Sequence, residues 1–454
     1  MRDIVDDEVC IATDQQRIWQ PFSRTDDLAR EKAIVLDRGE GVWLWDTEGR
    51  RYLDGVGALE SMAIGHGRVE LAVAAEEQMR RLAFLDVFRY ASQPALDLSE
   101  ELIRIAPSGM SQVHFTPGGS EAVEVALKLA VQYHWLNGEP DRRLVVCRQG
   151  AYHGVTYGAM NCDGGYWSTR NDIYLGDQRF GVVATGPASG ADWGTGARHT
   201  AGAAEFERVV AEVGPDRVSA IIVDAVATAS GVATPPADDL RALRSLADRH
   251  GILLIVDEVI TGFCRTGQMF ASDLFGVSPD FMPISKALSS GYLPIGACLV
   301  GDRVTERFRS APTDNVFAHG HTYGGHPVAC AVALENVRIL QDEQLHLRAS
   351  EMGSYLREGL HSLRDHPTFI AERGVGMLNG LEIVGEDDGA GRFGTAASAG
   401  TWVRKRCREL GLITLTVHPG TVLLLAPPLV IDTSAIDHLV EILDQALSDL
   451  ESAR

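Results

Sequence analysis

An α/β fold, with a mainly parallel sheet covered by helices and a smaller α+β lobe beside it, is what this sequence predicts. Three observations carry the prediction. Strand-like apolar runs alternate with amphipathic helical segments through the middle of the chain, the pattern of a parallel sheet with helices on its faces. One of these runs, 252–256, is continuously apolar and short enough for a strand buried on both sides. At 454 residues the chain is also long for one core, so two or three lobes are expected.

Taken in order, residues 1–35 read as an arm and entry segment anchored by Trp19, Pro21 and Phe22. Residues 41–54 read as a β-hairpin, because Val42/Leu44 and Trp43/Trp45 alternate before a turn at 46–49. A glycine-rich loop follows at 55–67, and its tip, 58–61, is placed to reach a pocket. Its single G-x-G does not extend to a dinucleotide fingerprint. Helical spacing marks 69–82, 96–105, 122–134, 204–212 and 237–249, and strand character marks 113–115, 144–147, 218–223, 252–256 and 295–300. The stretch 183–203, rich in glycine and alanine, is expected to be a mobile surface loop. Beyond Pro327 come helices at 328–340, running toward 342, and at 347–363, followed by shorter elements. The expected organisation is an N-terminal segment (1–64) that joins the small lobe, a large lobe (65–325) and a C-terminal small lobe (326–454).

Composition narrows the function. The chain is 45% hydrophobic and 23% charged, an ordinary globular balance. A net charge of −21 without a basic stripe argues against nucleic acid as a partner. The seven cysteines are scattered, odd in number and free of any C-x-x-C pair, which reads as reduced thiols. The acidic N-terminus lacks a signal-peptide core, and the apolar run at 422–431 is broken by Pro427 and Pro428. A soluble, cytoplasmic protein with no membrane partner is the expectation.

The chemistry gathers where the apolar strand ends. Asp257 and Glu258 stand at its carboxyl end, where ligands of open α/β sheets bind. An ionised acid beside so apolar a strand needs a cationic partner. Lys286 follows between a short apolar segment and a loop punctuated by Gly291 and Pro294, and a lysine held in such a site can become an imine-forming amine. Together the two suggest a pyridoxal phosphate site, with Lys286 carrying the cofactor as a Schiff base and Asp257 against the pyridinium nitrogen. Gly118, Gly119 and Ser120 lead from a strand into a helix, an N-terminus suited to phosphate, although a simple serine cap is the plainer reading. Tyr152 follows another strand and offers a ring for stacking, or equally a core tyrosine beside the loop residue His153. Three histidines at 319, 321 and 326 raise a metal site, but no Cys and no H-E-x-x-H accompany them. Thr322 is the more useful hydroxyl there for a phosphate. No G-x-S-x-G nucleophile elbow is present.

Nearly the whole chain resembles the class III, pyridoxal-phosphate-dependent aminotransferases of fold type I. The resemblance runs through Trp19 and Phe22, Gly-Gly-Ser-Glu-Ala at 118–122, Tyr-His-Gly at 152–154, Asp-Glu-Val-x-Thr-Gly from 257, Ser-Lys-Ala-Leu at 285–288, His-Gly-His-Thr-Tyr at 319–323 and Pro-Pro-Leu at 427–429. It implies a large domain with a mainly parallel seven-stranded sheet and a smaller α+β domain. Carried over, it makes Lys286 the Schiff-base lysine and Asp257 the partner of the pyridine nitrogen. Tyr152 stacks on one face of the ring and Val259 packs on the other, Gly119 and Ser120 bind phosphate, and His153 lies among the cofactor contacts. Thr322 reaches the phosphate from a neighbouring subunit, so a homodimer with interfacial sites is implied. Asp224-Ala225 departs from the family's Glu-Pro, and His326 replaces the usual Asn in the manner of the ω-transaminase branch. The implied activity is transfer of an amino group from an amine or amino acid to an aldehyde, ketone or keto acid by a ping-pong route. Alternatives on the same fold and cofactor are an adenosylmethionine-8-amino-7-oxononanoate-type transaminase, an aminomutase or a decarboxylase. A non-catalytic binding protein would need a damaged site, and Lys286, Asp257 and Ser120 are all in place.

Substrate class is the last expectation. Relatives often place an arginine shortly before the Pro-Pro motif to pair with a substrate carboxylate, and no arginine lies between Gly411 and Pro427 here. His418 is a weaker substitute. Leu59, Phe84 and Phe88 fall in segments that line the family's substrate pocket, which implies an apolar cavity for a hydrophobic or aromatic carbonyl or amine. Carboxylated substrates would then need another cation, such as Arg265 or Arg89.

Overall fold

The computed structural model of the chain describes residues 18–22, 34–164, 173–176, 179–184, 201–383, 396–417 and 420–453. Most of the N-terminal arm and most of the 183–203 stretch lie outside the described residues. The chain enters through an antiparallel meander of β1 (Leu36–Glu40), β2 (Trp43–Asp46) and β3 (Arg51–Asp54). The hairpin read at 41–54 is therefore present, with Trp43 opposite Leu53 and Leu44 opposite Tyr52. Its turn is set by Asp46, whose Oδ1 accepts the N–H groups of Glu48 and Arg50 at 3.0 and 2.9 Å. The Tyr52 hydroxyl donates to Oδ2 of the same side chain at 2.8 Å.

The central sheet has seven strands: β4 (Met110–Thr116), β5 (Leu144–Arg148), β6 (Gly181–Ala184), β7 (Val218–Asp224), β8 (Leu253–Asp257), β9 (Phe281–Ile284) and β10 (Gly296–Gly301). Their order is β4-β10-β9-β8-β7-β5-β6, with β10 antiparallel to both neighbours and the other adjacent pairs parallel. Two of these strands escape the sequence reading. The periodicity of β6 is lost in a long stretch rich in glycine and aromatics. Strand β9 carries Pro283, which signals against a central strand because it has no N–H for the ladder. Its carbonyl instead accepts the Glu258 N–H at 3.0 Å.

Strand β8 shows why its run is continuously apolar. Successive side chains point to opposite faces of a sheet, so Leu254 and Val256 enter one core with Phe206, Leu240 and Leu243. Leu253 and Ile255 enter another with Val123, Leu127 and Cys298. The C-terminal part forms a second antiparallel sheet, β11 (Phe369–Val375), β12 (Leu378–Ile383), β14 (Leu415–Val417) and β15 (Val422–Leu425), in the order β11-β12-β15-β14. A short strand, β13 (Leu412–Ile413), pairs in parallel with β3, setting Leu412 beside Leu53, so both ends of the chain share one sheet. No helix among the described residues is long and apolar enough to cross a membrane.

Glu258 is fully buried and belongs to the scaffold. Its carboxylate accepts the Ala271 N–H at 3.1 Å, the Ser272 N–H at 2.6 Å and the Ser272 hydroxyl at 2.7 Å, together with the Thr261 hydroxyl. It thereby ties the end of β8 to the start of the helix Ala271–Phe275. Glu258→Ala should cost about 3 kcal/mol, because it strands several buried donors at once. Calorimetric unfolding at fixed protein concentration should show a clearly lower transition, and an unchanged one would remove Glu258 from the scaffold.

Candidate active site

Strands β7 and β8 run in register and bring Asp224 beside Asp257 at their carboxyl ends. Both line a cavity of about 190 Å³ together with Gly119, Ser120, Tyr152, His153, Val259, Ser285 and Lys286, and with residues of the loop after β7. The topology thus collects into one crevice residues that are far apart in sequence, at the strand ends where open α/β sheets place ligands.

Asp257 is 7% exposed. Its Oδ1 accepts the Val259 N–H at 3.0 Å, and its Oδ2 accepts the Nδ1–H of His153 at 2.7 Å. His153 is held in turn by its own N–H, which donates to Asp163 at 3.0 Å. Burial alone pulls the imidazole pKa down. The hydrogen bond to Asp257 and the charges of Asp257, Asp224 and Asp163 outweigh it, so His153 titrates above the ordinary histidine value. Its buried Nε2 has no hydrogen-bond partner among the described residues. The neighbouring Asp224 carboxyl is raised by burial against the opposing charge of Arg148, whose guanidinium lies 3.6 Å away. Arg148 is itself fully buried and also reaches Asp239 at 3.4 Å. The sequence motif contained His153 but gave no sign that it would bond the strand-end acid, since that contact spans 104 positions of chain.

At the other end of the cavity, Gly118 caps the helix Gly119–Leu136 without a side-chain hydrogen bond. The first N–H groups of any helix lack an internal acceptor, so those of Gly119 and Ser120 are available at the positive end of the dipole. The Ser120 hydroxyl accepts the Val155 N–H at 3.2 Å. Two glycines make this geometry possible. A Cβ at Gly154 would lie 2.4 Å from Ser120 Oγ, at a φ of +131°, and one at Gly119 would press against Val259 at 3.0 Å. Tyr152 is partly buried, and its hydroxyl is pushed up to about 12 by burial and the nearby charges of Asp163, Asp257 and Glu60.

Lys286 sits in the left-handed region at φ +40° and donates from Nζ to the carboxylate of Glu60. Glu60 is 3% exposed and comes from the tip of the 55–67 loop, in a left-handed turn formed by Gly57 (φ +56°), Ala58 (+45°), Leu59 (+70°) and Glu60 (+57°). Each non-glycine residue in that conformation costs about 1–2 kcal/mol. The turn is held by Asp54, which accepts the Ala58 N–H at 3.0 Å and bonds His66 Nε2 at 2.9 Å. It is also packed so closely that a Cβ at Gly57 would lie 2.7 Å from the Ala426 carbonyl. The loop tip meets Lys286 through Glu60, whereas the sequence reading singled out Leu59.

Several expected pocket residues lie elsewhere in the single chain. Arg265 is fully buried, and its Nη1 and Nη2 donate to the carbonyls of Met377, Ala426, Pro427 and Met62. This corrects its expected role as a cation for a substrate carboxylate, because those donors are consumed by the backbone between lobes. Arg89 points outward to Asp86 at 2.7 Å and is exposed. Leu59 is 58% and Phe88 66% exposed, while Phe84 stacks against Tyr323 and His326 at ring distances of 5.7 and 5.3 Å. Thr322 is exposed, next to Tyr323 in the chain. His418 lies outside the described residues. Among the described residues no group of three or more His, Cys, Asp or Glu side chains could hold a metal.

Comparison with known proteins agrees with this architecture. The family model described as aminotransferase class-III matches residues 27–447. The putrescine–pyruvate aminotransferase of Pseudomonas aeruginosa is 36% identical over 442 residues, covering 95% of this chain and 94% of its own. The omega-aminotransferase of Caulobacter vibrioides is 31% identical over 450 residues, covering 97% and 99%. Among solved structures, an (S)-enantioselective omega-transaminase from Thermomicrobium roseum superposes with a TM-score of 0.84 at 37% identity, covering 95% and 96%. The omega transaminase of Pseudomonas jessenii in complex with PMP gives 0.87 at 31% identity, covering 96% and 97%.

The His153 geometry has a consequence for pH. A histidine whose folded pKa is raised contributes stability that is present below its ordinary value of 6.5 and is lost as pH rises through the folded value. The protein stripped of cofactor should therefore lose stability above pH 6.5, and His153→Gln should flatten that part of the profile. Parallel profiles for the two proteins in thermal unfolding would show that His153 is not charged in the folded state.

Proposed function

The chain belongs to the class III aminotransferases and is a pyridoxal-phosphate-dependent transaminase, and we propose how its own residues divide the work. The residues of the crevice fit the cofactor. An amine-bearing lysine, a buried acid and a helix N-terminus surround one cavity, and Gly154 leaves space against Ser120 that a Cβ would fill. Bound pyridoxal phosphate supplies an electron sink for the carbon whose amino group is exchanged. Lys286 would hold the cofactor covalently through Nζ and then move a proton at the substrate carbon. Asp257 would hold a proton at the pyridine nitrogen, and His153, donating from Nδ1, would orient that carboxylate. Tyr152 and Val259 would confine the ring between them. The N–H groups of Gly119 and Ser120 and the Ser120 hydroxyl would bind the phosphate. The single observation that carries the reading is the pairing of a buried, histidine-held acid at the end of β8 with Lys286 in the same cavity.

The exposed surface that bears Phe84, Phe88, Tyr323 and Thr322, together with the exposed Leu59, supports a homodimer with its sites at the interface. Large apolar side chains left in water on one chain are normally covered by a partner. Thr322 from a second copy would then reach the phosphate, and Phe84 and Phe88 would wall a substrate cavity. With Arg265 committed to the backbone, an uncharged amine and an aldehyde or ketone remain the favoured substrates, and an apolar group on either suits that wall. Six described cysteines are all free and buried, in keeping with a reducing compartment and a cytoplasmic location.

Borohydride reduction of the yellow protein followed by peptide mass spectrometry should find the cofactor on Lys286. An adduct on another lysine would overturn the assignment. Asp257→Asn should lower turnover by at least a hundredfold, because an amide cannot supply the charge that holds the pyridine nitrogen protonated, and each lost pKa unit is about 1.4 kcal/mol. Near-native kcat in that variant would remove Asp257 from the mechanism.

A further inference from the structure

The pairing of Glu60 with Lys286 is not accounted for by cofactor binding, and it deepens the reading above, on which it rests. A buried carboxylate needs a cationic or hydrogen-bonding partner, and in the free protein that partner is the lysine ammonium. Once Lys286 is joined to the cofactor its nitrogen no longer carries three free N–H donors, while the left-handed turn and Asp54 continue to hold the loop that carries Glu60. The groups around this carboxylate are Lys286, Arg265, Asp54 with its partner His66, and Tyr152. Arg265 spends its Nη donors on carbonyls, so it supports an ionised Glu60 through charge alone and presents nothing to the cavity.

A transferred amino group passes through the position of Lys286 Nζ. In an α-amino acid the carboxyl carbon lies two bonds from the amino nitrogen, about 2.5 Å, and in an α-keto acid two bonds from the carbonyl oxygen that this nitrogen replaces. A carboxylate there faces Glu60 at close range in a low-dielectric site, where like charges repel strongly, and no arginine from the 411–427 stretch is there to offset it. We propose that Glu60 is a specificity-determining residue that disfavours substrates bearing a carboxylate on the reacting carbon and so directs the enzyme toward amines and carbonyls without one.

The test uses the holoenzyme and its Glu60→Gln and Glu60→Asp variants, each first labelled with borohydride to confirm attachment at Lys286. Two readouts follow. Single-turnover kcat/KM is measured for a matched pair, an aliphatic amine and the α-amino acid with the same side chain. The pH midpoint of the cofactor's long-wavelength absorbance is measured without substrate. In Glu60→Gln the preference for the amine over the amino acid should fall at least tenfold (about 1.4 kcal/mol), and the absorbance midpoint should move down by about one pH unit as the nitrogen loses its counter-charge. Glu60→Asp, which keeps the charge, should retain most of the preference. Label on Lys286 with a preference unchanged within twofold in Glu60→Gln would overturn the proposal and leave the Lys286 assignment standing. Label on another residue would overturn both.

Discussion

The structure depends on one demand, that charge be held at the end of a strand with no water on either face. Strand β8 is buried on both sides, so whatever its last residue carries must be satisfied by other protein groups or by a ligand. Asp257 meets this with two hydrogen bonds, from a backbone N–H two residues on and from an imidazole supplied by a distant loop. The next residue, Glu258, meets the same demand in another way, by saturating its oxygens with donors from the following helix. One carboxylate is thus turned to the cavity and the other to the scaffold, and the difference lies in which neighbours reach each of them.

Around that point the molecule places a second layer of buried charge. Arg148 pairs with Asp239 and with Asp224, which lines the cavity, and the charges of Asp257 and Asp224 both bear on His153. Such a cluster is costly to bury but rigid once its members are mutually compensated, a property suited to a base on which a planar ring must sit in one orientation. The same logic governs Arg265, which joins the backbone after β15 to that before β12 and to the 55–67 loop through carbonyl contacts. It ties these three segments together, and its charge acts on Glu60.

That loop is the most strained part of the described backbone, with three successive non-glycine residues in the left-handed region. Strain of this kind persists only where surrounding structure over-determines it. Here Asp54, His66 and the close packing of Gly57 do so, and the result is a carboxylate delivered to the amine of Lys286. The adjacent Leu59 is itself 58% exposed.

How much of this was legible in the sequence follows from how local each signal is. The strand at 252–256, the hairpin at 41–54 and the helices around 69–82, 122–134 and 328–340 are written in the spacing of apolar residues, which neighbouring positions determine by themselves. The motif residues Lys286, Asp257, Gly119, Ser120 and Tyr152 were identifiable because their chemistry and order along the chain match a known pattern. Strand β9 was hidden because Pro283 contradicts the local rule, and only its partners β8 and β10 show that its carbonyl is used where its missing N–H is not. The partners of His153, Arg265 and Glu60 lie 104, 161 and 226 positions away along the chain. Composition and periodicity determined which segments become strands and helices and which residues carry reactive groups. Which of those groups face each other was decided by the tertiary structure, because hydrogen bonds and Coulomb forces act between atoms close in space, and the distance along the chain does not enter.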